Sequence, residues 1–145
     1  MKGSMDAQSV EGQRISRLTQ VVTVAAGEVH RALGPGLVKV AYTRALAHEL
    51  ATAGADFAAE VEVPVTYKGI DLACTQRVDL VVGGAVVVVV HTVTTILPHH
   101  VGQATSFLRL LGAPVGVLVN FEASTFKNGV RRRVNPSGPA LLKAC

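Results

Sequence analysis

The sequence has no tryptophan, only two tyrosines and four phenylalanines, and 17% charged residues in a chain of 145. An aromatic content of 4% is low for a protein that stacks single-stranded bases. The two cysteines, Cys74 and Cys145, lie far apart and no basic-then-apolar leader is present, so free thiols are expected rather than a disulfide framework. Long apolar runs are missing as well. The longest, Gly83 to Val90, falls far short of the roughly 20 residues that a membrane-spanning helix needs. The expectation is a cytoplasmic protein with no membrane partner. Scarce charge does not imply disorder here, because 49% of the residues are hydrophobic and the mean hydropathy is +0.39. The length suits one domain, and so greasy a domain is expected to hide apolar surface against a second copy.

Charge is also unevenly spread. Acidic residues are absent from Leu80 to Phe121, and lysine is absent from Gly69 to Phe126. The net charge of +4 arises wholly in the second half, where Leu80 to Cys145 carries six basic residues and one acid, Glu122. A basic half can contact nucleic acid, but a solvated basic edge is the commoner cause.

Three segments are expected: a leader over 1–13 with the natural start at Met5, a single domain over 14–135, and a tail over 136–145, apolar at Ala140-Leu141-Leu142. From Arg14, the apolar positions Ile15, Leu18, Val22, Ala25 and Val29 recur every three or four residues and predict a helix to about Leu33. Gly34-Pro35-Gly36 stops it. Leu37, Val40, Ala41, Leu46, Leu50 and Ala53 then give a second helical stripe ending at Gly54. The period next changes to two. Val61, Val63 and Val65 alternate with Glu60, Glu62 and Pro64, which reads as an edge strand because proline donates no ladder bond. Lys68-Gly69 turns into a strand over about 70–82, and Gly83-Gly84 turns into a β-branched run, Ala85 to Val93, that must be a central strand covered on both faces. A helix from Pro98 to about Leu111 should turn Val101, Ala104, Thr105, Leu108 and Leu111 inward. Short strands at Val115 to Asn120 and Val130 to Val134 follow, the second after an Asn128-Gly129 turn. The fold class is therefore α/β (α+β): a mixed central sheet flanked by helices.

A set of residues in this order carries a resemblance. They are Glu28-Val29-His30-Arg31, Leu33-Gly34-Pro35-Gly36-Leu37, Tyr42, Leu46 and Glu49-Leu50, then Val63-Pro64-Val65 and Tyr67-Lys68-Gly69. Arg77-Val78-Asp79-Leu80-Val81, His100-Val101-Gly102-Gln103, Phe107-Leu108 and Asn120-Phe121 complete it. The chain resembles the GxxExxY branch of the PD-(D/E)XK nuclease superfamily from about Leu18 to Val134. The resemblance implies that superfamily's fold, and a site in which paired carboxylates hold Mg²⁺ and a lysine steadies the attacking water.

Here the site departs from the pattern. Asp79 matches the first carboxylate, but the Glu-x-Lys position reads Val89-Val90-His91, and the name-giving glutamate is Lys39 in Gly36-x-x-Lys39-x-x-Tyr42. Asp79, Val89, His91, Gln103, Lys39 and Tyr42 are thus remnant positions, of which Asp79 and Gln103 keep the usual residue. No register shift restores carboxylates that the stretch lacks. Only acids from elsewhere, such as Glu28 or Glu49, or from another subunit, could complete a metal shell. Neither a catalytic residue nor a cofactor is expected, and Asp79 alone is a poor metal site.

Other readings are blander. His91, His99 and His100 with Asp79 match no established zinc spacing, and helix-start or solvent-facing histidines are expected. Arg131 and Arg133 share one strand face and could grip phosphate, with Arg132 on the other, but a charge-guarded edge strand is commoner. Tyr42 and Tyr67 are expected to be half-buried anchors. The leading expectation is a non-catalytic PD-(D/E)XK-fold protein acting through self-assembly or a partner. The alternative is a nucleic-acid-binding module using Lys39, Arg131 and Arg133, and the third is a Mg²⁺ nuclease with borrowed ligands. Asp79 and Val89 should also face each other across their strands, which requires Val82 near Val86 and an odd loop or bulge.

Overall fold

In the computed structural model, residues 7–137 are described. The Met1 to Asp6 part of the expected leader, the apolar Ala140 to Leu142 and Cys145 lie outside them. Among the described residues, no helix is long and apolar enough to cross a membrane.

The chain opens with α1 (Ala7–Leu33) and α2 (Lys39–Thr52), then runs β1 (Phe57–Tyr67), β2 (Ile70–Val82), β3 (Val86–His91), α3 (Pro98–Leu111), β4 (Val115–Asn120), α4 (Phe126–Gly129) and β5 (Val130–Val134). The five strands lie in the order β1-β2-β3-β4-β5, with β3 and β4 parallel and every other pair antiparallel. Alternation along the central strand explains the layers. Val86, Val88 and Val90 join Val22 and Val29 of α1 and Tyr42, Leu46 and Leu50 of α2 in one core. Val87 and Val89 join Ala104, Phe107 and Leu108 of α3 in the other. The expected mixed sheet with helical cover is therefore present, and β3 is buried at every position.

Several boundaries and faces differ from expectation. Helix α1 starts at Ala7, inside the segment read as a leader, since no glycine-proline break separates Ala7 from Arg14. The buried stripe of α2 is Tyr42, Leu46 and Leu50, while Leu37 and Val40 are exposed. Tyr42 is wholly buried rather than half-buried. Thr105, by contrast, is buried as expected, and its hydroxyl accepts Nε–H of Arg133 at 2.9 Å. The Asn128-Gly129 turn is the end of the short α4.

The β2–β3 connection meets the expected register. Gly83, Gly84 and Ala85 form a three-residue loop, and Val82 pairs with Val86, Val81 with Val87 and Leu80 with Val88. The ladder stops at Leu80–Val88, and the expected facing of Asp79 and Val89 is not found: Asp79 meets Lys39 of α2, whereas Val89 packs in the α3-side core. Gly83 has φ of 60°, and a Cβ there would lie 2.7 Å from Cδ1 of Leu18, while its carbonyl accepts Nη2–H of Arg14. Gly83→Ala is expected to destabilise the fold by about 1–3 kcal/mol, read from urea unfolding, because both conformation and space oppose a methyl group.

Candidate functional site

The site lies where β2 parts from β3. The β2–β3 ladder ends at Leu80–Val88, and beyond it the carboxylate of Asp79 takes over: Oδ2 accepts the backbone N–H of Val90 at 2.8 Å. Alternation also slips there. Leu80 packs on the α1/α2 side, yet Val78, two residues away, packs on the α3 side. Facing it on β1, Glu60 has φ of 52°, and the β1–β2 ladder skips the Glu60–Asp79 pair. This local irregularity turns Asp79 into the opening between the strands instead of leaving it beside Val89, whose side chain stays in the α3-side core.

Lys39, the first residue of α2, reaches into the same opening. Its Nζ lies 3.0 Å from Oδ1 of Asp79, and the Asp79 side chain is only 12% exposed. Both carboxylate oxygens therefore have partners, one an ammonium and the other a backbone amide. Arg44, Glu60 and Arg77 line the same cleft, and Arg77 pairs with Glu60 at 3.1 Å. Sequence reasoning missed Glu60 and Arg77 as neighbours of Asp79. The Lys68-Gly69 turn could not have shown this, because an irregularity between Pro64 and Thr66 shifts the hairpin register before it reaches Asp79.

His91 contributes a buried imidazole rather than the expected solvent-facing one. It is 9% exposed, its ring centroid lies 4.8 Å from that of His100, and its Nε2 has no hydrogen-bond partner among the described residues. Burial pushes its pKa down to about 4; the nearby His100 and Lys39 add to the shift, and Asp79 opposes it. His100 does sit at a helix start, where Nδ1 accepts the Leu97 N–H at 2.8 Å, and His99 stands against it with centroids 4.1 Å apart. Among the described residues no three His, Cys, Asp or Glu side chains are placed to hold a metal ion.

The other remnant positions separate. Tyr42 belongs to the framework: its hydroxyl donates to the Gly34 carbonyl and accepts the Leu37 N–H at 3.0 Å, and its ring stacks on Phe121. Gln103 lines a different cleft, between α3 and the β1–β2 hairpin. Glu28 and Glu49, the candidates for borrowed ligands, line a groove between α1 and α2, and Arg31 pairs with Glu28 at 2.7 Å. Arg131 and Arg133 share the α3 side of β5, opposite Leu118 and Gly116, away from Asp79.

A family model of the PD-(D/E)XK nuclease superfamily matches residues 16–133, and the chain belongs to that superfamily. No curated protein matches it. The divalent cation that such a fold implies does not fit the donors present. A hard cation wants several oxygen ligands, and here the enclosed Asp79 carboxylate already holds an ammonium group.

Proposed function

We propose that this chain is a non-catalytic member of the superfamily, of the GxxExxY type with a degenerate site, that acts by assembling with copies of itself or with a protein partner. The observation that carries this reading is the Lys39–Asp79 pair, in which a lysine ammonium stands on the carboxylate that would otherwise bind metal. The framework residues of the motif support it. Tyr42 bonds Gly34 and stacks on Phe121, whereas the positions of the motif glutamate, the second carboxylate and the lysine carry Lys39, Val89 and His91. Structure is retained where chemistry is not.

Incubation with single- and double-stranded DNA and with RNA, in Mg²⁺ or Mn²⁺, is expected to give no cleavage. Cleavage that vanishes in Asp79→Ala would overturn the reading in favour of an active site completed by another subunit. A second reading, nucleic-acid binding without cleavage, is favoured by Lys39, Arg44 and Arg77 around the Asp79 cleft. It predicts fluorescence anisotropy binding that weakens steeply with salt and weakens further in Lys39→Gln.

A further inference from the structure

Helix α1 turns one face to the core and leaves a second face uncovered. Ile15, Val22, Ala25, Ala26 and Val29 are its buried residues. Beside them Arg17, Val21, Val24 and Glu28 follow at spacings of four, three and four, which at about 3.6 residues per turn places them on one stripe. All four line a groove of about 610 Å³ between α1 and α2, together with Glu49 of α2. Val24, at the middle of the stripe, is 65% exposed, and Val21 beside it is half-buried.

The order along this stripe is base, valine, valine, acid, and it is its own complement when reversed. Two such helices laid antiparallel about a twofold axis between Val22 and Thr23 bring Arg17 of each to Glu28 of the other, and Val21 of each to Val24 of the other. Contact with an unrelated partner makes no use of that reversal; contact with an identical helix does. The charges are available for it. Neither the Arg17 nor the Glu49 side chain has an ion-pair partner among the described residues. Glu28 holds Arg31 in an exposed pair, which contributes little in water, and Glu49 gives the groove a second acid for an incoming guanidinium. Arg14, which this register brings towards Arg31, is turned back to the Gly83 carbonyl and to Glu11.

We propose that α1 is the contact surface between two copies of this chain, paired antiparallel so that Val21 and Val24 of each fill the α1–α2 groove of the other and Arg17 meets Glu28 at both ends. Such an isologous contact closes on itself and does not grow into a filament. The proposal rests on the self-assembly reading above and names the surface that reading lacks.

Sedimentation equilibrium of the full chain tests it, with the wild type, Val24→Glu, Arg17→Glu, Glu28→Arg and an equimolar mixture of the last two. The wild type should associate, and each variant alone should do so about tenfold or more weakly, because like charges then meet at both ends or a carboxylate meets valine at the centre. In the mixture one chain of each kind restores both opposite-charge contacts, so most of the loss should be recovered. A defect confined to one chain would not be repaired by mixing. Val24 and Arg17 are exposed, and glutamate is a better helix former than valine, so circular dichroism should show the variants folded. Weakening without recovery in the mixture would overturn the antiparallel pairing. If the wild type associates and no variant alters it, the α1 surface is overturned while self-assembly stands. A wild-type species near 15.1 kDa at every concentration would overturn both.

Discussion

Tyr42→Ala is expected to cost about 3–5 kcal/mol of folding stability, enough to leave a domain of ordinary stability largely unfolded on mild heating. The ring is wholly buried at the centre of the core under α1 and α2, and it lies 4.6 Å from the Phe121 ring at an interplanar angle of 3°. Truncation removes that contact and opens a cavity that Leu46 and Leu50, fixed on the same helix face, cannot fill. It also strands two backbone groups, since the hydroxyl donates to the Gly34 carbonyl and accepts the Leu37 N–H. Tyr42→Phe isolates the second effect and should lose about 1 kcal/mol, because the loop is open to water and both groups can be hydrated. Equal losses in the two variants, measured by urea denaturation, would show that packing around the ring contributes nothing.

The same tyrosine holds the α1–α2 loop against the core. It pins the Gly34-Pro35-Gly36 loop, which is also held by Glu122, whose Oε1 accepts the Gly36 N–H at 3.0 Å. His30 bonds the Ala123 carbonyl at 2.7 Å, and the Asn120 amide donates to the Val93 carbonyl at 2.7 Å. These bonds tie the α1–α2 loop, the end of β4 and the segment after β3 into one corner. Lys39 stands outside that corner, because its side chain projects to Asp79 and makes none of these bonds.

What the sequence disclosed follows the same division. The valine run of β3 could only be buried, Pro64 could only sit at an edge, and Pro98 and Gly112 bracket α3 at the observed ends. Local patterns fix such features. The phase of α2 was ambiguous because alanines and valines occur on several of its faces, and only tertiary packing selects Tyr42, Leu46 and Leu50. The Lys39–Asp79 contact spans α2, β1 and most of β2 and leaves no periodic trace. The slip at Asp79 depends on Glu60 adopting a positive φ, which a glutamate does not advertise. Asp79 and Lys39 were legible as positions; their union was not.

Acid should expose His91. Folding holds its imidazole neutral down to about pH 4, while the unfolded chain protonates near 6.5, so the unfolded state binds more protons between those values. Stability is then unaffected by this residue above about pH 6.5 and falls as pH drops towards 4, at up to about 1.4 kcal/mol per pH unit. Water reaches the mouth of the site, so the total loss is nearer 2 kcal/mol than the full linkage value. The groups facing the ring decide the sign. Lys39 from α2 and His99 and His100 from α3 all disfavour a further positive charge, and Asp79 from β2, already engaged by Lys39 and the Val90 N–H, is the one group that favours it. His91→Met keeps an apolar, similarly sized side chain in the pocket and removes the titration. Its unfolding free energy should therefore decline less than that of the wild type between pH 7 and 4.5, with the difference growing steadily below pH 6. The shared background of acid effects from other residues cancels in that comparison. Parallel curves for the two proteins would mean that the His91 ring is hydrated or paired with Asp79 in solution, and the assignment of a buried neutral imidazole would fail.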